Sequence, residues 1–356
     1  MTKQLLTIFF IFSNLILNCT TFSLRAKKKQ VRITVVGDIM CHSSQLNSYY
    51  NPKTKNYDTS RSFELIRNRF EQSDLVLGNL ETTLVKNPSD YSGYPRFGSP
   101  IDLATSLKNA GFHVLSTANN HSADKGSPGI DITIETVRKE NMVPIGSYQS
   151  QQDYDLRRHF SVIKNNLKIA IYNYTYSTNG IKVPDGRIVR LIDEKTITED
   201  MEHAKSIGMD LIIVWFHFGT EYQIKPDASQ LRWVNFALNL GADVILGGHP
   251  HVVQRIDKIN DQLVAYSLGN FLSAQNHPFT DGGIILNFNF SIDGNGQKLI
   301  TDVAYESVWI YPHGYQIIPI NEIDRENFKI PLNKHYRKKA SDYKMQFDKV
   351  MSENKL

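Results

Sequence analysis

Five apolar, β-branched runs in this chain each stop at residues that can hold a cation or move a proton, and that shared phase limits what the chain can fold into. Val31 to Gly37 ends at Asp38. Asp74 to Leu77 runs into Gly78-Asn79-Leu80-Glu81, and Phe112 to Ser116 leads to Ala118-Asn119-Asn120-His121. Asp210 to Phe216 is followed by His217-Phe218-Gly219-Thr220-Glu221-Tyr222, and Ala242 to Leu246 by Gly247-Gly248-His249-Pro250-His251. Short runs of this kind suit strands buried on both faces. Helical spacing separates them: Phe63, Ile66 and Phe70 within Thr59 to Gln72, the stretch Asp102 to Ala110, and Ile130, Ile134 and Val137 after Ser127-Pro128. Glu194 to Ile207 and Ser229 to Leu240 continue the alternation, which is that of an α/β fold.

In an α/β sheet the loops beyond the carboxyl ends of the strands form the binding crevice. Loops in one register would therefore bring carboxylate, amide and imidazole to one place. Taken alone, His249 and His251 could be turn residues capping nearby carbonyls; together with the other loops they read as metal ligands. A mixed oxygen and nitrogen set suits a divalent ion such as Mn, Fe, Zn or Mg better than a thiolate-bound metal. The pattern changes after Gly282, where Ile284 to Ile292, a turn at Gly294 to Gly296, and Ile300 to Ile310 read as a hairpin. Pro88 to Pro100 reads as a long surface loop, and the lysine-rich stretch after Tyr336 as a helix.

The chain is 41% hydrophobic and 21% charged, which excludes global disorder. Its net charge of +4 lies largely in Lys27-Lys28-Lys29 and the lysine-rich C-terminal stretch, with no interleaved basic and aromatic stripe, so nucleic acid is not an expected partner. Residues 1–24 have the layout of a secretory leader: Lys3, then an apolar run from Leu5 to Leu17 broken by Thr7, Ser13 and Asn14. Two processing outcomes fit, cleavage after Ser23 or lipoprotein processing before Cys19 in Ile-Leu-Asn-Cys. Cys19 and Cys41 are the only cysteines, so no disulfide framework is expected. The domain organisation is then a leader at 1–24, one large domain at 25–320 and a C-terminal extension at 321–356. A G-x-S-x-G elbow, and with it the serine-hydrolase reading, is missing. A glycosidase using Glu81 and Glu221 would need its two carboxylates about 5–9.5 Å apart and no metal.

Six motifs in order resemble the bacterial capsule-synthesis CapA family: GDIM at Gly37 to Met40, GNLE at Gly78 to Glu81, ANNH at Ala118 to His121, HFGTEY at His217 to Tyr222, GHPHVVQ at Gly248 to Gln254 and SLGNF at Ser267 to Phe271. That family is associated with poly-γ-glutamate capsules and related to the calcineurin-like metallophosphoesterases. The resemblance implies a metallo-dependent phosphatase-like α/β/β/α sandwich of four layers with a metal centre above the strand ends. It implies Asp38 and His251 at one metal position, Asn120, His217 and His249 at the second, and a bridging oxygen from Asn79 or Glu81. His121 would protonate a leaving group, and Glu221 and Asn270 would meet substrate or support the ligands. The family's relatives carry Asp-x-His where this chain has Asp38 and Met40, and a thioether is a poor donor to a hard cation. Cys41 or His42 could stand in.

The resemblance thus implies an exported, metal-dependent hydrolase or transferase of capsule, poly-γ-glutamate or other envelope-polymer metabolism. Its substrate would be an envelope polymer, a phosphoester or a γ-glutamyl compound, with capsule-synthesis membrane proteins as partners and a lipid anchor through Cys19. From another class comes a non-catalytic factor that binds polymer during export or anchoring.

Overall fold

The computed structural model describes residues 29–326 and 328–356; the expected leader, with Cys19 and Ser23, lies outside the described residues. Alternation along the strands builds the layers. Val31, Ile33 and Val35 of β1 (Lys29–Ile39) enter one hydrophobic cluster, while Val36 and Ile39 enter another. In the same way Leu75 and Leu77 of β2 (Leu75–Leu80) part from Val76 and Leu80. Because side chains alternate with period two, both faces of such a strand need cover.

The larger sheet adds β3 (Val114–Ser116) and β4 (Val143–Ile145), parallel to β1 and β2. The second sheet contains β5 (Ser161–Lys164), β6 (Leu167–Thr175), β7 (Leu211–His217), β8 (Val244–Gly248), β9 (Ile256–Ile259) and β10 (Gln262–Ala265), in the order β5-β6-β7-β8-β10-β9. Its central strands β6, β7, β8 and β10 are parallel. The chain then returns to the first sheet as β11 (Asn270–Leu272), β12 (Gly282–Ile292), β13 (Lys298–Tyr311) and β14 (Gln316–Pro319). The order there is β14-β13-β12-β1-β2-β3-β4, with β11 beside the carboxyl end of β1.

One cluster fills the space between the sheets, joining Val31, Ile33 and Leu77 to Ile171, Ile213, Trp215 and Leu246. Helix Asp102–Ala110 covers the outer face of the first sheet, together with Phe63, Ile66 and Phe70. Helices Glu194–Ser206 and Ala228–Asn239 cover the outer face of the second through Ile197, Met201, Val234 and Ala237. These are the four layers, helix, sheet, sheet and helix. Asp193 and Asp227 cap the two latter helices through the amides of Thr196 and Gln230.

Two expectations are corrected. Thr59 to Gln72 is not one helix but a 3-10 turn at Ser60–Phe63 and a single α turn at Arg67–Phe70. The aromatic packing of Phe63 and Phe70 against Phe112 and Phe271 sets the backbone there, and overrides local periodicity. Within Pro88 to Pro100, Gly98–Pro100 is a short strand parallel to Thr83–Val85. Helix Lys334–Met351 lies in the segment expected as an extension, and its Ala340, Tyr343, Phe347 and Val350 enter the inter-sheet core.

At Gly37 the partner of β1 changes from antiparallel β12 to parallel β11. A Cβ at Gly37 would lie 1.9 Å from the Gly269 carbonyl oxygen, so only glycine allows the crossover. Directly after it the strand delivers Asp38.

Candidate metal centre

Asp38, Asn79, Glu81, His217, His249, His251 and Asn270 are all at or just beyond strand ends, and all are buried. Parallel register does the gathering: Asp38 pairs with Asn79 on one side and with Asn270 on the other. In the second sheet His217 pairs with Gly248, one residue before His249. His249 and His251 have φ of +98° and +60°, in the left-handed region that residues other than glycine rarely adopt. Such backbone persists where the surroundings over-determine it, and here the His249 amide donates to Asp38 Oδ2 at 3.2 Å.

Two three-donor groups emerge, Asp38–Glu81–His251 and Glu81–His217–His249, with one ligand atom from each residue within 4.8 Å of the others. Glu81 belongs to both. Its Oε1 is 3.4 Å from His217 Nε2 and 3.8 Å from His251 Nε2. Those are ion-pair distances without a hydrogen bond, because His217 Nε2 is taken by Asn120 Oδ1 at 2.7 Å. Both carboxylate oxygens of Glu81, and Nδ1 of His249, are buried with no hydrogen-bond partner among the described residues. A carboxylate removed from water without donors is costly unless a cation offsets it. The donors present therefore fit one or two divalent cations, held by Asp38, Glu81 and His251 and by Glu81, His217, His249 and Asn120.

Asn79 stands elsewhere in the network. Its Nδ2 donates to Asp38 Oδ1 at 2.8 Å, and its Oδ1 accepts from Ser116 Oγ at 2.7 Å. It orients Asp38, while the turn after Leu80 carries Glu81 inward. Asn270 has the matching task on the other flank: its Oδ1 lies 3.1 Å from His251 Nδ1, which is also 3.2 Å from Asp38 Oδ2.

The electrostatics follow from these contacts. Burial would raise the pKa of Asp38, but hydrogen bonding and charge from His251, charge from His217 and the Asn79 amide outweigh it and hold the carboxylate below its ordinary value. Burial opposes charging His251, yet Glu81, Asp38 and Glu221 push it up to about 9. His249 goes the other way, well below its ordinary value, through burial and then the neighbouring imidazoles. A neutral imidazole is the form that binds a metal.

His121 lies on the wall of a cleft of about 300 Å³ that also touches His251, Glu221 and Met40. Its Nδ1 is 2.7 Å from Asp124 Oδ2, which also accepts from the Phe97 amide at 2.6 Å, and its ring meets Phe97 edge-on at 4.6 Å. Asp124 was not singled out by the sequence reading. It sits one turn past His121 in Asn-Asn-His-Ser-Ala-Asp, and that spacing is the signal that could have found it. Tyr176, also unanticipated, packs 4.5 Å from the His249 ring and is half exposed.

Of the two stand-ins, Cys41 packs with Leu46 and Tyr49, and burial pushes its thiol up to about 12. His42 borders the cleft, but its Nδ1 faces Gln45 Oε1 and the Ala274 amide. Burial, with the charges of His251 and His121, holds it down at about 4 against the Gln45 hydrogen bond. Met40 is buried, its sulfur 3.8 Å from Ser273 Oγ.

Residues 32–275 match the family model described as "Bacterial capsule synthesis protein PGA_cap". The chain is 28% identical over 330 residues to the PGA biosynthesis protein CapA of Bacillus subtilis (strain 168), covering 88% of this chain and 81% of that protein. It is 26% identical over 279 residues to the capsule biosynthesis protein CapA of Bacillus anthracis, covering 75% and 66%. Among solved structures it is similar to the calcineurin-like phosphoesterase YfkN from Bacillus subtilis, with a TM-score of 0.48, 14% identity and coverage of 91% and 98%. A phosphatase from Mycoplasma pneumoniae gives a TM-score of 0.48 at 15% identity, covering 85% and 99%.

Proposed function

Starting from a chain that belongs to the bacterial capsule synthesis protein PGA_cap family, we propose an exported, metal-dependent hydrolase or transferase acting on a capsule or other envelope polymer. The observation that carries the reading is the Glu81 carboxylate, buried without a hydrogen-bond donor among the described residues and common to two ligand groups. A divalent cation held by Asp38, Glu81 and His251 or by Glu81, His217 and His249 would supply positive charge to polarise a scissile carbonyl or phosphoryl group. The chain's own residues supply the rest. Asp124 fixes the His121 ring through Nδ1, leaving Nε2 to hand a proton to a leaving group in the cleft. Asn79 and Asn270 hold Asp38 and His251 in place. A γ-glutamyl amide and a phosphoester both suit this chemistry, and the name of the Bacillus subtilis relative favours the first.

Elemental analysis of residues 25–356, wild type against Glu81→Gln and His249→Ala/His251→Ala, tests the reading. About two equivalents in the wild type, lost in both variants, support a two-cation enzyme; no metal under any loading condition would sink it. The buried Met40 thioether favours a second reading, a polymer-binding accessory factor. An enzyme loses turnover on His217→Ala without unfolding, whereas an accessory factor loses only binding. Export rests on the leader pattern of residues 1–24, and capsule-synthesis membrane proteins would be its partners. Mass spectrometry of the mature N-terminus separates a start at Leu24 from a lipidated Cys19.

A further inference from the structure

Glu221 makes a third ligand group that the reading above does not use. One of its carboxylate oxygens, a nitrogen of His249 and a nitrogen of His251 lie within 4.8 Å of one another. These two histidines belong one to each of the Glu81 groups, so Glu221 stands beside a member of both. It does so from the opposite side: Glu81 is fully buried, whereas Glu221 is exposed at the rim of the cleft.

This placement is set by the main chain. The Phe218 amide donates to the Gly248 carbonyl at 3.1 Å and the Tyr222 amide to the Pro250 carbonyl at 2.8 Å. The loop carrying Glu221 is thereby fastened along the loop carrying His249 and His251. His249 also carries a buried Nδ1 with no hydrogen-bond partner among the described residues. Across the same cleft stands Met40, two residues beyond Asp38, with a sulfur that serves a hard cation poorly.

We propose that Glu221 is a metal ligand, the carboxylate that meets a cation beside His249 and His251 on the exposed side of the centre. The inference rests on the metal-dependent reading. Its substrate-side consequence is that the outermost donor is also the most exchangeable one, so an incoming carboxylate or phosphate competes with Glu221 for the cation.

The test is Mn²⁺ titration of residues 25–356, free Mn²⁺ being read by electron paramagnetic resonance and bound metal by elemental analysis. Glu221→Ala and Glu221→Gln should each weaken one of the equivalents by at least about tenfold, with the unfolding temperature in chelator unchanged. Wild-type-like binding by Glu221→Gln would overturn the inference while leaving the two-cation enzyme intact. A wild type that takes up no Mn²⁺ would overturn both readings together.

Discussion

Gly248 gives the sharpest prediction, because a single methyl group there lands among the ligands. A Cβ on Gly248 would sit 2.6 Å from Asp38 Oδ1, 3.4 Å from Asn79 Nδ2 and 3.4 Å from His217 Nδ1. Ordinary contact begins near 3.4 Å, so the Asp38 oxygen must retreat by about 0.8 Å while the other two atoms stay at the limit. Metal–ligand distances tolerate only about 0.2 Å. The retreat also pulls on the 2.8 Å hydrogen bond from Asn79. Overpacking of this kind costs about 1–3 kcal/mol, which for a domain of this size lowers the unfolding temperature by about 2–4 °C per kcal/mol. Gly248→Ala should therefore fold, melt a few degrees lower, and lose the cation bound by Asp38 while keeping more of the one bound by His217 and His249. Elemental analysis beside differential scanning fluorimetry, with and without Mn²⁺, reads both effects. Full metal content with a wild-type melting temperature would refute the reasoning, since the methyl would then have found room that the geometry denies it.

Other outcomes follow from the same contacts. Asp124→Asn should lower turnover by about 10²-fold or more with metal content unchanged, because the His121 ring loses its charged anchor; equal turnover would remove His121 from proton transfer. Chelation should lower the unfolding temperature, since a cation at about 100 times its Kd contributes about 2.7 kcal/mol, and His249→Ala/His251→Ala should be insensitive to chelator. In the metal-free protein His251 is raised from 6.5 to about 9, so its contribution is complete below pH 6.5 and is lost as pH climbs through about 9. Asp38, lowered from 3.8, has the opposite sign: its contribution holds above that value and is lost as pH falls through its depressed pKa. A melting temperature flat from pH 7 to 9.5 in chelator would contradict the first of these.

The sequence reading could place these residues at strand ends because strands buried on both faces are legible as unbroken apolar runs, and the residue that ends each run has little choice of location. Asp38, His217 and the His249–His251 pair are where that logic puts them. The choice between Asn79 and Glu81 was out of reach, since it turns on whether the chain bends inward after Leu80. Asp124 was missed because its one signal, a place three residues past His121, is not a periodic pattern of the kind that marks a strand or a helix. The reach of Glu221 toward both histidines depends on amides pairing between loops some thirty residues apart, a relation that no local pattern records. The segment Thr59 to Gln72 shows the reverse failure, a helical pattern in which tertiary aromatic contacts decide the backbone.

The partnership of β1 with β12 has a consequence for how the molecule is made. Val31 lies beside Phe290 and Ile33 beside Phe288, so the strand that delivers Asp38 finds its antiparallel neighbour only after nearly the whole chain has been synthesised. Contacts this distant in sequence must pay for loop closure before they repay it, which makes them slow to form. Until β12 arrives, an apolar strand edge stands open on the nascent chain, the kind of surface that aggregates or is held by chaperones. Asp38, early to leave the ribosome, is thus among the last of the site residues to be locked in place.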